Sequence, residues 1–164
     1  MKGNFFFKLL ENLIRENVEF VICGGVAAVL HGSDRITYDL DLMVNPENGN
    51  FTRLAAALKR MKFKPRAPVS VEDIADPDKR REWIDLKGAL VMTFLDERGI
   101  AQLDIFLTYP IPYEELKTQS ETIELGGIRV YISSIGHLIK AKKAAGRPQD
   151  LADIEILERI RKQT

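Results

Sequence analysis

The sequence is short of cysteine and has no excess of charge of either sign. Cys23 is the only cysteine among 164 residues, so an internal disulfide is excluded, and its place in an apolar run predicts a core residue. Lysine and arginine together number 24, as do aspartate and glutamate. This balance provides no overall basic charge for long duplex nucleic acid, so a nucleic-acid partner would be held locally, for example by one end.

Long apolar runs are also missing from the sequence. No stretch approaches the ~20 apolar residues that a membrane-spanning helix needs. Near the N-terminus, Phe5-Phe6-Phe7 is followed by Lys8 and is too short to be the apolar part of a signal peptide. We therefore expect a cytoplasmic protein with no membrane partner, in which residues 1–164 form a single domain that buries roughly two thirds of its unfolded surface.

The most informative stretch is residues 21–44, VICGGVAAVLHGSDRITYDLDLMV. Its last part predicts a strand, because tyrosine, leucine, methionine and valine surround two acids. Side chains alternate along a strand, so Asp39 and Asp41 share one face while Leu40 and Leu42 face the core. Two carboxylates directed at one point repel each other unless a cation lies between them, and oxygen ligands suit Mg²⁺. The pattern therefore predicts a metal site.

Two glycines precede this motif. An apolar strand over residues 19–23 leads into Gly24 and Gly25, and a short helix of small residues follows them. Glycine lets the backbone approach a ligand closely, and the first N–H groups of a helix attract an anion. Gly24 and Gly25 are therefore candidates for a phosphate site. The alternative is a tight turn between strand and helix with no ligand.

A third candidate acid lies in a predicted hairpin. Residues 89–95 and 100–107 are predicted as strands joined by a turn at residues 96–99. Asp104 is the only acid in the otherwise apolar middle of the second strand, and a buried carboxylate without a partner is costly. We therefore expect Asp104 to belong to a site; the alternative is an exposed acid on the open face of an antiparallel sheet.

Two helices are predicted at the C-terminal end, over residues 134–162, packed on the rest of the domain. Lys142 falls within the apolar stripe of the first, so its ammonium is expected to meet a fixed anion: a phosphate or, in the free protein, Asp39, Asp41 or Asp104. Arg147 with Asp150 and Asp153 is interpreted as a structural ion pair that locks the two helices together. The second helix is expected to bury an apolar stripe of Leu151, Ile154, Leu157 and Ile160.

Taken together, Gly24-Gly25-x-Ala27, Arg35-x-Thr37-x-Asp39-x-Asp41 and the later Asp104 resemble the signature of the polymerase-β-like nucleotidyltransferase superfamily. Within it, the arrangement looks most like small bacterial and archaeal enzymes related to abortive-infection toxins, and residues 142–154 resemble the same group. The resemblance runs from about Val18 to the C-terminal helix. It implies an α/β fold: a small mixed sheet flanked by helices, with the Asp39–Asp41 strand next to the Asp104 strand.

The resemblance also implies a metal-dependent enzyme that moves a nucleoside monophosphate from an NTP to a hydroxyl group. Asp39 and Asp41 would bridge two Mg²⁺ ions, with Mn²⁺ as an alternative. Asp104 would complete the metal nearer the attacking oxygen and act as general base. The phosphates would be bound by Gly24, Gly25, Arg35 and Lys142, and Thr37 would order the turn or reach a phosphate. The acceptor stays open among a tRNA end, a protein hydroxyl and a small molecule.

Two other classes of protein use parts of this pattern. A metal-dependent glycosyltransferase also holds a nucleotide diphosphate with Asp-x-Asp, but it usually has a longer chain, and it explains neither Gly24-Gly25 nor Asp104. A non-catalytic relative, such as a nucleotide-binding or toxin–antitoxin-type partner, would keep the fold without the activity. The presence of all three acids favours the enzyme over this alternative.

Overall fold

A computed structural model describes residues 2–164, with the side chains of residues 4–47 and 49–164, and within that range the chain forms a seven-stranded sheet and its covering helices. A 3-10 helix, Val71–Ala75, precedes the fourth α-helix. In chain order the remaining elements are α1 (Lys2–Arg15), β1 (Phe20–Cys23), α2 (Gly24–Leu30), β2 (Asp39–Val44), α3 (Asn48–Arg60), β3 (Lys64–Pro65), α4 (Pro77–Lys87), β4 (Val91–Leu95), β5 (Gln102–Phe106), α5 (Tyr113–Thr118), β6 (Glu121–Leu125), β7 (Ile128–Ile132), α6 (Ile135–Ala145) and α7 (Pro148–Gln163).

The sheet is mixed, in the strand order β3-β4-β5-β2-β1-β7-β6. At its centre β2 pairs with β1 in the antiparallel sense and with β5 in the parallel sense, and β1 is parallel to β7. The hairpins β4–β5 and β6–β7 are antiparallel, and the short β3 lies at an edge. The predicted α/β fold, with the Asp39–Asp41 strand beside the Asp104 strand, is confirmed.

The two faces of the sheet are covered unequally. On one face Leu40, Leu42, Leu103 and Ile105 are fully buried in the main core, together with side chains of α1, α3 and α6. On the other face lies a smaller buried cluster of Val21, Cys23, Ile111, Tyr113 and Leu116. Cys23 pairs with Asp41 across β1 and β2, so the acids of β2 lie on this second face. Cys23 is a buried core residue, as predicted.

The C-terminal helices follow their sequence signals at the ends. Ser134 caps α6 by accepting a hydrogen bond from the backbone N–H of His137, and Gly146 ends the helix in the left-handed conformation with φ of 64°. The predicted burial of Leu151 is wrong, because its side chain is 64% exposed. The inward face of α7 carries Asp150, Asp153 and Leu157. The two acids are buried there because they pair with cations.

The helix α4 begins with a capping acid followed by proline. The carboxylate of Asp76 accepts hydrogen bonds from the first turn, and Pro77 occupies the first helical position. Most of its charged side chains are exposed, but Arg80 is buried, with its guanidinium 3.8 Å from the centre of the Phe51 ring. Over residues 2–164, none of the helices has the length and apolar character that crossing a membrane requires.

Candidate active site

The candidate site is built by the pairing of β2 with β5. In this parallel pair Asp41 lies opposite Asp104, and Asp39 lies opposite Gln102. Side chains at paired positions project from the same face, so the register brings all three acids together. One carboxylate oxygen from each of Asp39, Asp41 and Asp104 lies within 4.8 Å of the others. The convergence predicted from the sequence is therefore present, while the role of each acid stays a prediction.

Gly24 is needed because Asp41 lies against it. A Cβ atom on Gly24 would be 2.0 Å from Asp41 Oδ2, and the residue has φ of 60°, which L side chains rarely adopt. The backbone N–H of the next residue, Gly25, acts on the Asp41 carboxylate and lowers its pKa. The helix α2 begins at Gly24, two residues before the predicted start, so the glycines form its first turn. Gly24 thus makes room for Asp41, a role that was not predicted for it.

Gly24→Ala is expected to lower the free energy of unfolding by about 2–4 kcal/mol, from left-handed strain and from the clash with Asp41. Gly88 is the matched control, because it has φ of 61° and no atom lies within 4 Å of the position that a Cβ would take there. Gly88→Ala should therefore cost only the strain, about 1 kcal/mol. Urea unfolding of both variants measures the difference, and equal losses would contradict the contact with Asp41.

Asp41 carries most of the electrostatic cost of the cluster. Burial, followed by the negative charges of Asp39 and Asp104, raises its pKa from the ordinary 3.8 to about 7. The Gly25 N–H and the Lys142 ammonium act in the opposite direction on the pKa of Asp41. A divalent cation would remove this repulsion, and three carboxylates form the oxygen-only donor set that Mg²⁺ and Mn²⁺ prefer. The residues present therefore fit a divalent metal.

Asp104 is held by donors from both strands of its hairpin. Its Oδ1 accepts a hydrogen bond of 2.6 Å from Thr93 Oγ1 on β4, and Gln102 Nε2 lies 3.3 Å from Oδ1 and 3.2 Å from Oδ2. Arg66 in turn donates to Gln102 Oε1 at 2.8 Å. These three residues were missed in the sequence. The available signal was the hairpin register, which places the polar Thr93 directly opposite Asp104.

The Thr37 side chain lies in the turn before β2, against Asp39. Its hydroxyl lies 3.2 Å from Asp39 Oδ1 and 3.3 Å from the Asp39 backbone oxygen, to which it can donate. A Cβ atom on Gly25 would lie 2.7 Å from the Thr37 hydroxyl oxygen, so the turn also packs against the glycine pair.

The two predicted phosphate-binding cations meet at one carboxylate of α7. Lys142 Nζ lies 2.7 Å from Asp153 Oδ2, and the guanidinium of Arg35 pairs with the same oxygen. Lys142 Nζ also lies 3.7 Å from Asp150 Oδ1, which Arg147 pairs with from the other side. The prediction that Lys142 takes Asp39, Asp41 or Asp104 as its partner is wrong, because its ammonium pairs with Asp153 of α7 instead. Arg147 pairs with Asp150 at 2.9 Å, as predicted, but both residues lie at the start of α7, so this pair does not lock the two helices together. Lys142 of α6 joins the helices instead, through Asp150 and Asp153.

Sequence comparison finds no relatives: no family model matches, and no curated protein does. Solved structures do match over nearly the whole chain. One is the lincosamide antibiotic adenylyltransferase LnuA with lincomycin bound (14% identity, TM-score 0.62, 94% of this chain and 95% of that one). Another is ANT(2")-Ia in complex with adenylyl-2"-tobramycin (15%, TM-score 0.59, 96% and 91%). The chain has the nucleotidyltransferase fold.

The same fold occurs in an antigenic nucleotidyltransferase-like protein from Paracoccidioides brasiliensis (17% identity, TM-score 0.57), where the match covers 95% of this chain and 74% of that one. At these identities the likeness is one of fold. Among the residues of this chain, the three acids on β2 and β5 are the most informative about its function.

Proposed function

We propose that the protein is a metal-dependent nucleotidyltransferase, which moves a nucleoside monophosphate from an NTP to a hydroxyl acceptor. The observation that carries the proposal is the convergence of Asp39, Asp41 and Asp104 on one face of the sheet, in the nucleotidyltransferase fold. The raised pKa of Asp41 supports it, because a carboxylate cluster this costly without a cation is typical of a site that binds one.

Asp39, Asp41 and Asp104 would hold two Mg²⁺ ions, which, when bound, would stabilise the entering and leaving oxygens of the transfer. In the reaction the acceptor oxygen bonds to the α-phosphorus while the bond from that phosphorus to pyrophosphate breaks. Asp104 is the residue proposed to take the hydroxyl proton. Thr93 donates a hydrogen bond of 2.6 Å to Oδ1 of Asp104, so Oδ2 would be the oxygen that takes the proton. Gln102 holds the carboxylate in its orientation.

The triphosphate would lie beside the glycine turn and the cations of the C-terminal helices. Lys142 supports this placement, because its charge acts on the pKa of Asp41 although its nearest partner is Asp153. Arg35 would have to share its guanidinium between Asp153 and a phosphate, and its side chain is only partly buried. The assignments of Gly24, Gly25, Arg35, Thr37 and Lys142 to nucleotide binding stay predictions.

Among the three acceptors, we propose a small molecule that carries a hydroxyl group. Two structures that match almost end to end are described by their small molecules: LnuA binds lincomycin, and ANT(2")-Ia holds adenylyl-2"-tobramycin. The equal numbers of basic and acidic residues also provide no broad basic surface for an RNA partner.

The acceptor is identified by label transfer. The protein is incubated with each α-labelled NTP and Mg²⁺, together with total RNA, total protein or a panel of hydroxylated small molecules. The proposal expects label on a small molecule, and none with the Asp41→Asn variant. Label on RNA or protein would overturn the choice of acceptor and favour the relatives of abortive-infection toxins. Tight NTP binding without transfer to any of the three would favour the non-catalytic partner.

A further inference from the structure

The face of the sheet that carries the three acids continues past Asp104 to the edge strand β3. Asp104 lies opposite Thr93 on β4, and Arg66, directly after β3, donates its backbone N–H to the Thr93 oxygen at 2.8 Å. Residues paired in this way project from the same face, so Thr93 and Arg66 extend the row of acids on β2 and β5. Arg66 ends this row on the side away from β1 and the glycine turn.

The surface of β4 on this face is open. Along β4, Met92 and Phe94 are buried in the main core, whereas Val91, Thr93 and Leu95, which project from the face of the acids, are only partly buried. Among the described residues, none from β3 or β4 belongs to the smaller buried cluster that covers this face elsewhere. An uncovered surface therefore lies beside the acid of β5.

Two exposed cations border this surface. Lys64 lies two residues before Arg66 on the same extended segment, so both side chains project from the face of the acids. The guanidinium of Arg66 donates to Gln102 Oε1 at 2.8 Å, and Gln102 in turn donates to Asp104, the proposed general base. Among the described side chains, neither Lys64 nor Arg66 has a carboxylate within ion-pair distance. Both charges are therefore available to a ligand.

Two acids of the cluster act against an anion on this surface. Asp39 lies opposite Gln102, and Asp104 accepts from it, so in the metal-free protein both carboxylates would repel an anion beside Arg66. The divalent metal that the cluster fits would offset their charge. An acidic ligand is therefore expected here only when the site is loaded.

We propose that the acceptor of the transfer carries an acidic group, a carboxylate or a phosphate, which binds to Arg66 and Lys64. This inference rests on the proposed function and narrows its acceptor to hydroxylated acids. A guanidinium binds such groups through parallel hydrogen bonds, and Arg66 has donors left after its bond to Gln102. The acceptor's hydroxyl would then lie over Thr93 and reach Asp104, with the triphosphate on the other side of the acids.

The test uses glycerate and glycerol phosphate as probes, with glycerol as the neutral control. Each is titrated into the full chain saturated with Mg²⁺ and α,β-methylene-ATP, whose link between the α- and β-phosphates cannot be cleaved. Backbone amide shifts of Thr93 and Leu95, followed by NMR, should saturate with Kd on the order of 1 mM for at least one acid, and glycerol should bind much more weakly. No saturation by either acid, or equal binding of glycerol, would overturn this inference and leave the proposed function intact. Failure of the nucleotide analogue to bind would overturn both.

Matched variants assign the binding to the two cations. Arg66→Gln and Lys64→Gln should each weaken the bound acid about tenfold. Arg66→Lys should recover part of that loss. Arg159→Gln, which removes the same charge at an exposed position on α7, should change nothing.

Because Arg66 also contacts Gln102, the affinity for Mn²⁺, measured by electron paramagnetic resonance, separates acceptor binding from a positioning role. Arg66→Gln is expected to keep the Mn²⁺ affinity of the unsubstituted protein. A loss of Mn²⁺ affinity with unchanged binding of the acids would show that Arg66 only positions Gln102. In the label-transfer experiment, label on a neutral or cationic small molecule, or on an RNA end, would also overturn the inference.

Discussion

Asp41→Asn is expected to abolish nucleotidyl transfer and, at the same time, to raise the melting temperature of the metal-free protein. Asparagine has nearly the same shape as aspartate, but the variant lacks the charge that Asp39 and Asp104 repel. We expect a gain in the free energy of unfolding on the order of 2 kcal/mol at about pH 8. A variant that is inactive but more stable is typical of a functional acid and not of a structural one.

The pH dependence of this gain provides a second check. The pKa of Asp41 in the folded protein, about 7, lies above its ordinary 3.8, so the folded state keeps a proton that the unfolded state releases between these values. The unsubstituted protein therefore loses stability as the pH rises from about 4 to about 7, and this loss is absent in Asp41→Asn. Thermal unfolding in EDTA should show a small difference at about pH 4 and the full difference at about pH 8. A variant that is less stable at about pH 8 would contradict this electrostatic account.

Lys142→Met is expected to lower the free energy of unfolding by about 3 kcal/mol. Lys142 is 8% exposed and lies between Asp150 and Asp153, both of them buried. Removing one member of a buried ion network leaves charge without compensation, although Arg35 and Arg147 still pair with the two acids. Lys140→Met, at an exposed position on the same helix, should change stability by less than about 0.5 kcal/mol.

Nucleotide affinity separates the two roles of Lys142. If its ammonium also meets the triphosphate, Lys142→Met weakens NTP binding well beyond Lys140→Met or Lys143→Met, when all are measured at a temperature where each variant is folded. Affinities at two salt concentrations complete the comparison. Equal, salt-sensitive losses in the three variants would show a diffuse basic surface and would contradict a specific role for Lys142.

The parts of the site that follow from local periodicity could be predicted from the sequence. Alternation along β2 separates Asp39 and Asp41 from Leu40 and Leu42, and the structure keeps that separation. Asp104 could be paired with them only through the resemblance to nucleotidyltransferases, because the parallel β2–β5 pairing joins strands that are distant in the sequence.

The predictions that proved wrong concern contacts between different helices and strands. Leu151 was expected inside because it continues an apolar stripe, but in the fold Asp153 occupies the inward face, where Arg35 and Lys142 both reach it. The periodicity of one helix contains no information about cations supplied by another. For the same reason, nothing in the sequence indicates that Arg66 belongs to the site. It donates a hydrogen bond to Gln102, which in turn donates to Asp104.

The most direct measurement follows the two ends of the NTP. The protein is incubated with Mg²⁺, the identified acceptor and an NTP labelled at either the α- or the γ-phosphate, with Asp104→Asn as the variant control. Nucleotidyl transfer predicts that the α label appears on the acceptor and the γ label leaves as pyrophosphate, and that Asp104→Asn does neither. Transfer of the γ label to the acceptor, or full activity in Asp104→Asn, would contradict the assignment of these acids.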